Sequence, residues 1–213
     1  MTENLQETTK KIKQRLRLAM NGIVSAHQRQ NGLNYKINFG VEIPRLKEIA
    51  KEYPQERKLA LELWNSSVRE CKLLAIFLLP TENYSEVAET WISETTNCEI
   101  ADHLSLNILC NIPHALARAI EWTGKTDGFY EYCGYLTITH CLRKGCVPPP
   151  EQEKIIYKNI AALFEKEENT ITHQRACSLL CSMLGSDSTK AMHALQQFPA
   201  DCAAAIYIKE YII

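Results

Sequence analysis

The feature that most restricts this chain is the period of its apolar residues, which return every three to four positions and almost nowhere alternate at two. Leu46, Ile49, Ala50 and Tyr53 form one stripe, and Leu59, Leu63 and Trp64 the next. Leu73, Leu74, Phe77 and Leu78 are so densely apolar that their helix is predicted to be central. The pattern runs on through Val87, Trp91 and Ile92, then Leu104, Ile108 and Leu109, then Leu116, Ala119 and Ile120. Only eight Gly and eight Pro occur in 213 residues, too few for the turns of a β-rich fold. The expected fold class is all-α.

The breaks in the pattern are well marked. Pro44 suits a first helical turn, Pro54 separates two helices, and Pro80 closes the apolar one. Residues 67–70 and 83–86 both read as capping boxes, in which Ser67 or Asn83 caps and Glu70 or Glu86 reaches back. Gly124 and Gly145 fall where helices are expected to end. Pro148, Pro149 and Pro150 form a stiff linker before a long helix over about residues 151–167. Roughly a dozen helices result, and those opening near Ser67, Asn97 and Asp127 follow at intervals of about 30 residues. Such a recurrence predicts a HEAT-like helical-repeat superhelix, an α–α solenoid forming a single domain over residues 1–213. A compact irregular helical bundle is the alternative.

With 46% hydrophobic and 23% charged residues the chain is globular in class. No apolar run approaches the roughly 20 residues of a membrane span, and the opening MTENLQETTKKIKQRLRL is too polar for a secretory signal, so a cytoplasmic location is expected. Nine cysteines, an odd number with no Cys-x-x-Cys pair, point to reduced thiols packed as small hydrophobes. Cys177 with Cys181 and Cys141 with Cys146 lack a matching second pair, so no metal site is expected, and no motif asks for a cofactor. The net charge of −1 means that a nucleic-acid surface would have to be basic locally.

Two segments carry a family resemblance: residues 39–51, FGVEIPRLKEIAK, and Leu63-Trp64 followed by Val68-Arg69-Glu70 and the apolar helix to Pro80. Together they resemble the DNA alkylation repair enzymes, alkylpurine DNA glycosylases built from HEAT-like helix pairs. Weaker similarity continues through residues 97–102, 129–135 and 173–198. The resemblance implies a basic concave face that clasps the DNA backbone. It also implies hydrolysis of the N-glycosidic bond of a cationic N3- or N7-alkylpurine, aided by an Asp, two Trp and an Arg. The family's Trp-Asp-x-x-Asp opening aligns with residues 98–102, which makes Asp102 the catalytic carboxylate and replaces the aromatic residue by Cys98. The Arg-Arg segment aligns with Tyr130-Glu131-Tyr132, and the later tryptophan falls at about Leu179. One of the four groups is therefore present.

On their spacing Glu99 and Asp102 share a helix face, with Asp102 the electrostatic stabiliser and Glu99 a partner for water. The competing reading is acidic residues complementing a helix N-terminus capped by Asn97. Tyr132 and Tyr135 offer stacking surfaces for bases or simply core packing, and His103 offers a proton shuttle beside Asp102. The candidate DNA contacts are Lys10, Lys13, Arg17, Arg69, Lys72, Tyr132, Arg143 and Lys144, set against the plainer role of cations at helix ends. The expected function is a monomeric DNA alkylation repair-like protein that binds DNA, with its glycosylase function altered or lost because most of the family's catalytic positions are replaced. The alternative is a catalytically inactive scaffold for protein–protein interaction. A third reading is an active glycosylase with a site rearranged around Glu99, Asp102 and Tyr132.

Overall fold

The computed structural model describes residues 5–33, 35–166, 170–185, 187–198 and 202–211. Among them are thirteen α-helices and no strand; the only β-type pairing is an isolated bridge between Ile37 and Val68. The all-α expectation holds, and the chain divides into two compact units.

The first unit holds α1 (Leu5–Leu18), α2 (Gly22–Gln30), α3 (Ile43–Ala50), α4 (Arg57–Trp64) and α5 (Arg69–Leu78). It also takes the first turn of α6 (Tyr84–Ser93) and all of α7 (Cys98–Asn107). As the apolar density predicts, α5 is the centre of this unit: Cys71, Leu73, Leu74, Ala75, Ile76 and Leu78 are buried, and the helix packs on α3, α4 and α7. Pro44 sits in the first turn of α3, where its missing N–H costs nothing.

The segment 35–42 crosses this unit without helix and is held by specific contacts. Gly40 has φ +72°, and a Cβ there would lie 2.1 Å from the Asn21 carbonyl oxygen, so the segment passes the start of α2 only as glycine. The Phe39 carbonyl accepts from the Asn21 amide at 2.9 Å, and Asn21 Oδ1 in turn caps α2 at the Ile23 and Val24 amides.

The second unit holds residues 89–96, a 3-10 turn (Leu109–Asn111), α8 (Ala115–Thr123), α9 (Tyr130–Arg143) and α10 (Pro150–Phe164). It continues through α11 (Ile171–Leu184), α12 (Ser188–Leu195) and α13 (Ala203–Tyr211). Its closest pair is α8 with α9. At Gly134 of α9 a Cβ would meet the Ala119 carbonyl oxygen at 2.8 Å, so the missing side chain is what lets the two helices approach. The helix after the three prolines begins at Pro150 and reaches Phe164; the expected end at residue 167 lies outside the described residues. All nine cysteines are free thiols: four are buried and two, Cys146 and Cys181, are exposed. Burial pushes the Cys71 thiol up to about 11, so it stays protonated at neutral pH.

One local expectation is corrected. The segment 67–70 is not a capping box, because α5 starts one residue later than that reading requires, with Val68 at its N-cap and no side-chain cap. Glu70 accepts from the Phe39 amide at 3.1 Å and the Val41 amide at 3.2 Å, closing the 39–41 segment instead of its own helix. Asn83 ends a 3-10 turn (Thr81–Asn83), and its side chain donates to Glu86, which pairs with Arg57.

Candidate functional site

Helix α7 carries both acidic candidates, Glu99 in its first turn and Asp102 just beyond it, and the position of that turn follows from a buried polar network. Asn97 Oδ1 accepts from the Ile100 amide at 3.1 Å, as expected of an N-cap, and also from the Tyr35 hydroxyl at 2.8 Å. The same hydroxyl donates to Glu99 at 2.7 Å. Arg69, only 1% exposed, grips Glu99 with Nε at 2.8 Å and Nη2 at 2.5 Å. Its Nη1 donates to the Val41 carbonyl at 2.9 Å and to Glu70 at 3.0 Å. The bidentate fork is the geometry in which arginine holds a carboxylate most firmly.

The three family-like segments therefore meet in one place. Residues 39–41 are clamped by Arg69 and Glu70, and Arg69 anchors Glu99 at the start of α7. Burial by itself pushes the Glu99 carboxyl up, but hydrogen bonds and charge from Arg69, with the Tyr35 hydroxyl, outweigh it and hold the group ionised, below the usual carboxylate range. Both oxygens of Glu99 are taken by these donors, which makes the residue an anchor for α7. Arg69 lies buried among carboxylates and a carbonyl, so it presents no charge to a phosphate.

Asp102, one turn further on, is half-buried, with solvent on part of its side chain. His103 beside it packs edge-on against Phe77 of α5, ring centroids 5.9 Å apart. Burial, the largest effect, lowers the His103 pKa despite the nearby Glu99 and Asp102 charges, so the imidazole is neutral at neutral pH. Lys47 of α3 stands over the other side of this row, its Nζ 5.8 Å from the Phe77 ring centroid. A cation, an aromatic ring and a neutral imidazole thus run across α3, α5 and α7 beside Asp102. Next to this row opens a cleft of about 510 Å³ lined by Lys47, Lys51, Tyr53, Phe77, Tyr84 and Asn107.

The remaining candidates are dispersed. In the first unit, Lys10, Lys13 and Arg17 of α1 line one small cleft. Lys72 donates from Nζ to the Trp64 carbonyl at 2.8 Å and lies 4.6 Å from that ring's centroid, tying α5 to the end of α4. In the second unit Arg143 is exposed, while Lys144 Nζ donates to the Cys110 carbonyl and to Asn111 on the 3-10 turn.

Tyr132 is 2% exposed and edge-on to Phe129, so it is packed in the core and offers no face to a base; Tyr135 and Leu179 are also buried. The Tyr132 hydroxyl accepts from Arg175 Nε of α11 at 2.9 Å, and the guanidinium carbon lies 5.4 Å from its ring centroid. An arginine therefore stands beside the position where the resemblance leads one to look for it, supplied by another helix.

The site residues that the sequence did not single out are Lys47, Lys51, Phe77 and Arg175. Lys47 and Lys51 sit four apart within the 39–51 segment, a spacing that places both on one helix face. No local signal marks Arg175. A larger cleft of about 750 Å³ in the second unit, walled by Phe164, His173, Cys177 and Tyr207 among others, contains none of the positions aligned with the family's catalytic groups. Among the described residues no cluster of three metal-ligating side chains occurs, and no helix is long and apolar enough to cross a membrane.

A family model described as DNA alkylation repair enzyme matches residues 12–180. The chain belongs to the DNA alkylation repair enzyme family. The match spans α1 to α11 and includes Asp102, the Arg69–Glu99 anchor and the 39–51 segment. No curated protein and no solved structure is similar enough to match.

Proposed function

We propose that this member of the family binds DNA and excises cationic alkylpurines, with Asp102 as the group that stabilises the transition state. The observation that carries the reading is the placement of Asp102, half-buried on a helix whose start is fixed by the Arg69–Glu99 anchor. A positioned carboxylate suits a reaction in which positive charge grows on a sugar. As the glycosidic bond breaks, its electron pair passes to the purine nitrogen and cancels the base's charge. Water then adds at the anomeric carbon and gives a proton to solvent, leaving an abasic site and a neutral base. This chemistry needs water and electrostatics, and we propose no metal or cofactor.

In the first unit DNA would be held by Lys47 and Lys51 beside the Phe77 row, with Lys10, Lys13 and Arg17 of α1 as further contacts; Arg143, exposed in the second unit, is a separate candidate. Arg69, Lys72, Tyr132 and Lys144 are left out of this set because their polar groups are already engaged within the protein. A HEAT-like superhelix forming a single domain over residues 1–213 remains the proposed architecture. Its support is the recurrence of helix starts at Arg69, Cys98 and Tyr130.

The test is release of methylated purine from alkylated duplex DNA by wild type and by Asp102→Asn, with DNA affinity measured on the same samples. Loss of release with affinity and melting temperature unchanged is expected. A protein that binds DNA but releases no base overturns the catalytic half. One that binds no DNA at low salt overturns both halves and leaves a protein-interaction scaffold. That second reading draws on the net charge of −1 and on the replacement of the family's aromatic and arginine positions by Cys98, Tyr132 and Leu179.

A further inference from the structure

The cleft between α1 and α4 is small, about 330 Å³. Thr9, Lys10, Lys13 and Arg17 come from one face of α1, at the three- and four-residue spacings that stack side chains along a helix. Glu62 of α4 is the one acidic group in the lining, so three cations face one carboxylate. Among the described residues neither the side chains of the three cations nor that of Glu62 makes a hydrogen bond or ion pair. That contrasts with Arg15 on the same helix, which is bound by Glu52 through two hydrogen bonds of 3.0 Å.

The second observation is Thr9. It is 6% exposed and lines the cleft, yet its hydroxyl has no partner among the described residues. A threonine inside a helix can return its hydroxyl to a carbonyl one turn earlier, as Thr139 does to Tyr135. A buried hydroxyl left without a partner loses its hydration and gains nothing in return. An oxyanion in the cleft would accept that O–H and be neutralised by Lys10, Lys13 and Arg17.

We propose that the α1–α4 cleft is a phosphate-binding site, with Thr9 Oγ1 donating to a phosphate oxygen and the three cations supplying the charge. Nucleic acid is the source we assign, and that assignment rests on the DNA-binding reading above; the phosphate site itself does not.

The test is an NMR titration of the full chain with inorganic pyrophosphate, followed on the backbone amides, for wild type, Thr9→Val and Arg17→Gln. Saturable shifts confined to α1 and the Glu62 turn are expected, weakened several-fold in both variants. Thr9→Val should melt no lower than wild type, because the hydroxyl it removes makes no internal bond. Absence of a response on α1, or equal affinity in Thr9→Val and wild type, overturns the site. Duplex DNA then separates the sources. If Arg17→Gln lowers DNA affinity and reduces the salt slope by about one, the phosphate belongs to nucleic acid. If pyrophosphate binds and DNA affinity is unmoved by Arg17→Gln, the nucleic-acid assignment falls and the ligand is a free phosphate compound. A protein that takes pyrophosphate on α1 but no DNA at all refutes the proposed function while leaving the phosphate site standing.

Discussion

Glu99 in the first unit and Glu89 in the second each accept from an arginine and an aromatic side chain, and are put to different uses. Glu99 accepts from Arg69 and the Tyr35 hydroxyl, with 16% of its side chain exposed beside an arginine that is 1% exposed. Glu89 accepts from Arg118 at 3.2 Å, from Trp122 Nε1 at 2.7 Å and from Lys125 at 3.2 Å, with 45% of its side chain in solvent. In both, burial pushes the carboxyl up and the donors overcome it, so both sit below the usual range. What differs is the consequence of losing a partner. Removing a donor from the buried site strands a charge in a low dielectric; removing one from the exposed site hands the group back to water.

The largest effect should come from Arg69→Met. It leaves Glu70 and Glu99 without their cation in the core, which typically costs about 3–5 kcal/mol for a broken buried pair. Urea unfolding measures it, and a loss below about 1 kcal/mol would refute a buried structural role. Acid should act next. Glu99 contributes fully above its unfolded pKa of about 4.3, and that stability is lost as the pH falls through its lower folded value. Glu99→Gln should therefore flatten the acid limb of the stability curve while costing about 1.5–3 kcal/mol at neutral pH, typical of a charged hydrogen bond. If the acid limb is as steep in Glu99→Gln as in wild type, other carboxylates carry it. The smallest effect is expected of Glu89→Gln, at no more than about 1 kcal/mol, and added salt should shrink it. An equal or greater loss than for Glu99→Gln would show that exposure does not separate the two sites.

Much of the fold was open to reading along the chain. The apolar crowding at residues 73–78 marked α5 as central, Asn97 was legible as an N-cap, and the prolines at 44, 54 and 80 fell at helix ends as their backbone chemistry requires. These features are local, since each is decided within one or two turns. The site was less legible. Ser67 and Glu70 have capping-box spacing, yet Glu70 turned to the amides of Phe39 and Val41, 31 and 29 residues away. Arg69 read as a surface cation because its partner Glu99 lies 30 residues on, and only the partner makes its burial tolerable. Phe77 read as core and proved to be the middle of the Lys47–His103 row.

By itself the sequence determined that this protein is helical, where many of its helices break, that α5 is densely apolar, and that Glu99 and Asp102 stand three apart on one helix. These follow from side-chain period, capping and the missing amide of proline, all of which act over a few residues. The tertiary structure alone decided that Glu99 became an anchor, because that role depends on a guanidinium delivered by another helix. It decided likewise that Arg175 would stand beside Tyr132 and that Thr9 would bury a hydroxyl among three cations. Charge pairing and desolvation are settled by distance in space, and distance in space is what a linear reading of residue spacing does not contain.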